Sequence, residues 1–150
     1  MKNANCIPSE YSINGKYQCI FANRKQKSGG CRVLLLAEIP NQVLFCGSKF
    51  GCEIIEVKLK IDKIITIINV YRPPNINIQN TKKLFKYLGK LSHKNMIISG
   101  DFNLGNINWN KLDDQNNALT QLMVNFVSQT QLKQHNYTCE EQKHIRSDLL

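Results

Sequence analysis

Long apolar runs are missing from this chain. None approaches the ~18 consecutive apolar residues that a membrane span requires, so a soluble protein with no membrane contact is expected. No basic stretch followed by an apolar stretch opens the sequence, so it has no secretion signal, and an intracellular location, nuclear or cytoplasmic, is expected. In that setting the six cysteines, Cys6, Cys19, Cys31, Cys46, Cys52 and Cys139, read as reduced thiols. No Cys-x-x-Cys pair occurs and no histidine stands at matching spacing, which excludes a structural zinc site. Histidine is scarce: His93, His135 and His144 stand in no catalytic motif and read as surface residues. Internal repeats, linkers and low-complexity tracts are absent too, so nothing divides the chain. Acidic residues are few, eleven against twenty Lys and Arg, and the formal charge of +9 favours a polyanionic partner. The basic residues are scattered, however, through Arg24, Lys25, Lys58, Lys60, Lys63, Lys82, Lys83 and Lys86, without a dominant cluster.

What is present is one domain's worth of globular sequence. At 150 residues, with 42% hydrophobic and 21% charged, the chain has enough apolar side chains for a core and is read as a single domain over 1–150. Residues 1–12 carry no useful periodicity and read as an irregular entry. Short strands are expected at 17–21, 31–37 and 43–45, with the basic loop 23–30 closing on Gly29 and Gly30, a pair that is more often a turn than a phosphate cradle. Residues 53–60 alternate after Ile55: Val57 and Leu59 face inward while Glu56, Lys58 and Lys60 face water, so a half-exposed strand is predicted. Residues 61–63 connect it to a deeper hairpin partner at 64–71.

Two helices follow from spacing. Leu84, Phe85, Leu88 and Leu91 recur at helical intervals over 81–91, with Lys82, Lys83, Lys86 and Lys90 on a solvated opposite face. Leu119, Leu122, Met123, Phe126 and Val127 make a second stripe over 118–129, preceded by capping candidates at Asp113, Asp114, Gln115 and Asn116. Strand, helix and strand in succession indicate an α/β fold.

Two stretches carry chemistry. Met96-Ile97-Ile98-Ser99-Gly100-Asp101-Phe102-Asn103 reads as a buried strand breaking at a glycine. In strand geometry Asp101 and Asn103, two residues apart, project together from its carboxyl end, where open α/β sheets hold their ligands. A carboxylate there can move a proton while the amide orients a water or a phosphoryl oxygen. The plain alternative is that Gly-Asp-Phe-Asn is only a turn, since turns prefer these residues. The second stretch is Ile67-Ile68-Asn69-Val70-Tyr71-Arg72-Pro73-Pro74, an apolar strand that the two prolines end while fixing the presentation of Tyr71 and Arg72.

Asn69-Val70-Tyr71-Arg72-Pro73-Pro74 followed by Gly100-Asp101-Phe102-Asn103 resembles the endonuclease/exonuclease/phosphatase superfamily, and within it the endonuclease domains of non-LTR retrotransposon polyproteins. Trp109 resembles that branch as well, and the likeness runs from about residue 7 to 150. The resemblance implies part of a four-layer α/β sandwich, two mixed sheets packed face to face and flanked by helices. It implies Mg²⁺-dependent hydrolysis of a phosphodiester in DNA, a nick that primes reverse transcription. Carried over by position, Tyr71 is the tyrosine beside the scissile phosphate, Asp101 handles a proton, Asn103 orients phosphate or water, and Asp148 orients a catalytic histidine. Thr138 resembles a threonine near the site.

Two parts that the resemblance leads one to expect are not found. The family's metal-binding glutamate lies on a strand ahead of this segment, and the only acid before Tyr11 is Glu10, in another context. The Ser-Asp-His motif that supplies the histidine falls beyond Leu150. The chain therefore reads as a domain truncated at both ends. It is a weak or inactive endonuclease, or else a catalytically dead remnant that binds nucleic acid through its charge in a salt-dependent way. Marginal stability and aggregation-prone edges are expected of such a fragment.

Overall fold

The computed structural model describes residues 8–13, 15–22, 30–91, 95–104, 117–130, 132 and 133, the first of these segments as backbone alone. Seven strands and two helices occur among them: β1 (Pro8–Ile13), β2 (Tyr17–Ala22), β3 (Cys31–Leu36), β4 (Asn41–Lys49), β5 (Cys52–Lys60), β6 (Ile64–Tyr71), α1 (Ile78–Leu91), β7 (Met96–Asp101) and α2 (Ala118–Thr130). The strands make two sheets, β1-β2-β3 and β4-β5-β6-β7. The first is antiparallel throughout. The second is mixed: β4, β5 and β6 form an antiparallel meander, and β7 joins β6 in parallel after the α1 crossover. This is the expected α/β sandwich, with sheet on sheet and both helices on the far side of the four-stranded sheet.

The period of two along each strand sorts the side chains into two cores. Ile55, Val57 and Leu59 of β5 meet Ile20, Val33 and Leu35 of the smaller sheet. Ile54, Ile68 and Val70 point the other way, onto Leu84, Phe85 and Leu88 of α1 and Met123 and Phe126 of α2. Each such side chain removed from water contributes roughly 1.5–3 kcal/mol. Phe85 stands at the centre of the helix-side core, stacked on Phe126 at 5.1 Å and on Phe102 at 6.1 Å between ring centroids.

Several expectations need correction. Residues 8–13 are not irregular but form β1, because pairing with β2 supplies the order that their composition does not. β5 is not half exposed: only Lys60 lies fully open, since β5 sits inside the sheet with α1 across one face and the small sheet across the other. Glu56 is therefore buried, and the Tyr87 hydroxyl donates to its Oε2 at 3.2 Å. β6 alternates instead of lying deeper than β5. β7 is not covered on both faces, and Ile97 is 52% exposed. Cys46 is disulfide-bonded, so the reading of six reduced thiols fails for that residue. Sequence spacing does not reveal which cysteines packing brings together.

Each helix is capped by an asparagine that the spacing did not single out, and α1 begins three residues before the expected 81. α1 starts at Ile78, where Asn77 Oδ1 accepts from the Asn80 amide at 2.9 Å. Asn117 caps α2, its Oδ1 accepting from Leu119 N at 2.9 Å. The candidates at 113–116 lie outside the described residues. The lysines of α1 are exposed, as expected, and Met123 and Phe126 are core.

Candidate functional site

The site lies where β6 and β7 end side by side. Tyr71 and Asp101 are register partners in the parallel pair, so their side chains leave the same face of the sheet as neighbours. The ladder continues one step further, with Arg72 N donating to Asp101 O at 2.8 Å. On the other side of Tyr71, Glu53 of β5 is its antiparallel partner. A single row across the sheet thus holds Glu53, Tyr71 and Asp101, facing the layer between the sheets. Glu53 is 4% exposed, Tyr71 is half-buried and Asp101 is exposed.

β7 reaches Asp101 only because of Gly100. Its φ is +130°, a conformation that L side chains rarely adopt, and a Cβ there would run into the backbone of Val70 on β6. The chain then turns. Asn103 N donates to Asp101 Oδ1 at 3.0 Å, an Asx turn, and Asn103 takes a left-handed φ of 48°. Asp101 and Asn103 therefore do not project together from an extended strand, because the strand has already ended. The Asn103 amide folds back instead, and its Nδ2 donates to Arg72 O at 2.9 Å. Leu104 is buried next, with Thr120 Oγ1 of α2 donating to its carbonyl at 3.0 Å. The turn reading of Gly-Asp-Phe-Asn holds.

Beneath this turn lies Arg72, wholly buried. Its Nε donates to Thr81 Oγ1 at 3.0 Å, its Nη2 to Ile76 O at 2.9 Å, and its Nη1 to the carbonyls of Pro73, Phe102 and Asn103 at 3.3 Å each. Burial lowers its pKa below the ordinary guanidinium value. The small sheet closes the opposite side. Asn69 Nδ2 donates to Arg32 O at 2.8 Å, and the Cys31 thiol lies against the Tyr71 backbone. Burial first, and the charge of Glu53 second, push that thiol up to about 12.

Of the residues expected from sequence, Tyr71, Asp101 and Asn103 come together. Asp148, Thr138, Trp109 and the three histidines lie outside the described residues, as does the side chain of Glu10. Glu53 and Arg72 were missed. Glu53 shares the parity of Ile55, Val57 and Leu59, and that signal marks an inward-facing acid. Among the described residues no group of three or more His, Cys, Asp or Glu side chains is placed to hold a metal ion. Their donor set is the one exposed carboxylate of the row, Asp101. One carboxylate would leave a Mg²⁺ ion to take the rest of its shell from water and phosphate oxygens.

A family profile described as Endonuclease-reverse transcriptase matches residues 65–149, more than half of the chain. The chain belongs to that family. The match takes in β6 with Tyr71, the α1 crossover and β7 with Asp101, so the endonuclease-reverse transcriptase segment includes the two strand ends of the site. This gives the chain an endonuclease-related function in a retrotransposon setting. No curated protein matches the chain in sequence. No helix among the described residues is long and apolar enough to cross a membrane.

Proposed function

We propose that residues 1–150 form an endonuclease domain that nicks DNA by hydrolysing a phosphodiester, with Mg²⁺ as cofactor. The observation that carries this reading is the parallel register of Tyr71 with Asp101, a phenol and an exposed carboxylate held side by side at a sheet end. In the reaction Asp101 takes a proton from the attacking water. The water oxygen bonds to phosphorus as the bond to the leaving strand oxygen breaks, and that oxygen takes up a proton from solvent water. Tyr71 lies against the phosphate, and the turn at Asn103 limits where the water or a phosphoryl oxygen can sit. By resemblance, Asp148 orients a histidine. Mg²⁺, expected by resemblance, would supply positive charge against the phosphoryl oxygens when bound.

A second reading rests on charge. With a net +9 and Lys82, Lys83, Lys86 and Lys90 exposed along α1, an inactive domain would still bind DNA, with an affinity that falls steeply as salt rises. Incubation of supercoiled plasmid with the purified chain and Mg²⁺, beside Asp101→Ala and an EDTA control, decides between the two. Nicking lost in both controls supports the endonuclease. Salt-sensitive binding without nicking, from a folded chain, supports the second reading and overturns the first.

A further inference from the structure

We infer that Arg72 is the positioning residue of this site: its buried guanidinium fixes the Asp101–Asn103 turn against the end of β6 and ties both to the first turn of α1. The inference rests on the endonuclease reading for its kinetic consequence but not for its structural one.

Three features carry it. The first is reach. The donors of one side chain end on three separate pieces of chain: Pro73 O and Ile76 O beyond β6, Phe102 O and Asn103 O beyond β7, and Thr81 Oγ1 on α1. Thr81 is itself fully buried, and its hydroxyl donates to Asn77 O at 3.1 Å, so the contact is anchored in the helix cap. The second is reciprocity. Asn103 accepts from Arg72 Nη1 through its carbonyl and donates to Arg72 O through its side chain, while Asn103 N holds Asp101 Oδ1. A guanidinium moved by an ångström would therefore move the carboxylate through a chain of two hydrogen bonds. The third is charge. These partners are all neutral oxygens, so the guanidinium keeps its positive charge behind the turn, in surroundings where screening by water is weak.

Lysine cannot replace this group. Its ammonium is a single point with three donors, whereas the planar fork reaches oxygens on several sides at once. Arg72→Lys keeps the charge and loses the brace; Thr81→Val keeps the guanidinium and removes the Nε contact together with the hydroxyl's bond to Asn77 O. Each variant is studied at a temperature where circular dichroism shows it folded, and three quantities are read: kcat and KM for plasmid nicking, the melting temperature, and amide hydrogen exchange at Asn103 compared with Ile68 in the sheet.

The expected result for Arg72→Lys is a kcat lower by about a hundredfold with KM changed less than about threefold, the size expected when a reacting group is displaced by an ångström. Asn103 amide exchange should speed up at least tenfold while Ile68 exchange stays unchanged. Thr81→Val should show the same pattern more weakly and serves if Arg72→Lys does not fold. Normal kcat in the folded variants would overturn the inference even if their melting temperatures fall, because a brace that only adds stability leaves the chemistry alone. If the wild-type chain does not nick, the endonuclease reading fails by itself. Hydrogen exchange then decides the placement of Arg72, and unchanged protection at Asn103 in both variants overturns it.

Discussion

Arg72 and Asn103 hold each other in both directions: Arg72 Nη1 donates to the Asn103 carbonyl at 3.3 Å, and Asn103 Nδ2 donates to the Arg72 carbonyl at 2.9 Å. Two motifs about thirty residues apart in the chain are thereby locked into one surface feature, and each conformation depends on the other. The left-handed backbone of Asn103, costly for most residues, is maintained by this exchange.

Asn103→Gly separates the backbone from the amide. Glycine adopts the left-handed conformation without strain, so stability should change by less than about 1 kcal/mol, the net worth of the lost hydrogen bond. Nicking should still fall about a hundredfold, because the amide no longer fixes the turn. Plasmid nicking and urea denaturation of the same preparation check this. Full activity in the glycine variant would show that the side chain is dispensable.

Gly100→Ala should be severe. At φ +130° the added methyl meets the Val70 backbone, which belongs to a paired strand and has no room to move. A loss of at least about 3 kcal/mol is expected, from strain and the partial opening of the β6–β7 ladder. The urea midpoint measures it, and a shift equivalent to less than about 1 kcal/mol would mean that β7 can be displaced cheaply.

The Tyr87 hydroxyl is the partner of a carboxylate buried within the sheet, Glu56 at 8% exposure. Tyr87→Phe keeps the ring on Phe50 and removes only the donor. Destabilisation of about 1–3 kcal/mol is expected, the cost of leaving a buried oxygen without its hydrogen bond. Glu56→Gln in the phenylalanine background should recover part of it, since a neutral amide is cheaper to bury than a carboxylate.

Thiol titration gives a pH dependence with a definite sign. Burial raises Cys31 from 9.0 to about 12 and Cys52 from 9.0 to about 11. The unfolded chain ionises these thiols near 9.0 and the folded chain does not, so their contribution is fully present below pH 9.0 and is lost as pH rises toward 12. Chemical denaturation at a series of alkaline pH values should show stability declining through that window. At neutral pH, iodoacetamide should modify Cys31 and Cys52 only after denaturant is added, as peptide mass mapping would show.

Much of this architecture could be read from spacing alone. The hairpin of β5 and β6, the amphipathic α1 and the apolar stripe of α2 each depend on local periodicity, and each stands where that periodicity put it. What spacing does not reveal is a strand's place within its sheet. The alternation in β5 was read with Glu56 and Lys58 turned to water, but both faces of that strand are covered, one by α1 and one by the small sheet, and Tyr87 accommodates the acid. β1 was missed because pairing with β2, not composition, orders it. At the site, Tyr71 and Asp101 were legible as the polar ends of two apolar strands, and their adjacency follows from the parallel crossover. Arg72 has no role that its motif reveals, since four of its five partners are backbone carbonyls, which no residue type announces. The turn at Asn103 overrode the strand rule because one hydrogen bond to Asp101 and one to Arg72 outweigh the preference for continuing extended.

The order in which the larger sheet is wired has a kinetic consequence. β4, β5 and β6 are joined by short connections and can pair as they meet, so Tyr71 and Glu53 become neighbours through a local event. Asp101 becomes part of the row only when the chain has passed through α1 and β7 has closed in parallel, a longer loop that collapses later and more slowly. A chain with its meander complete and its crossover open would have most of a sheet and no acid beside the tyrosine. Activity during refolding should therefore lag behind the β-sheet signal, which makes the two strand ends a clock for the last step of assembly.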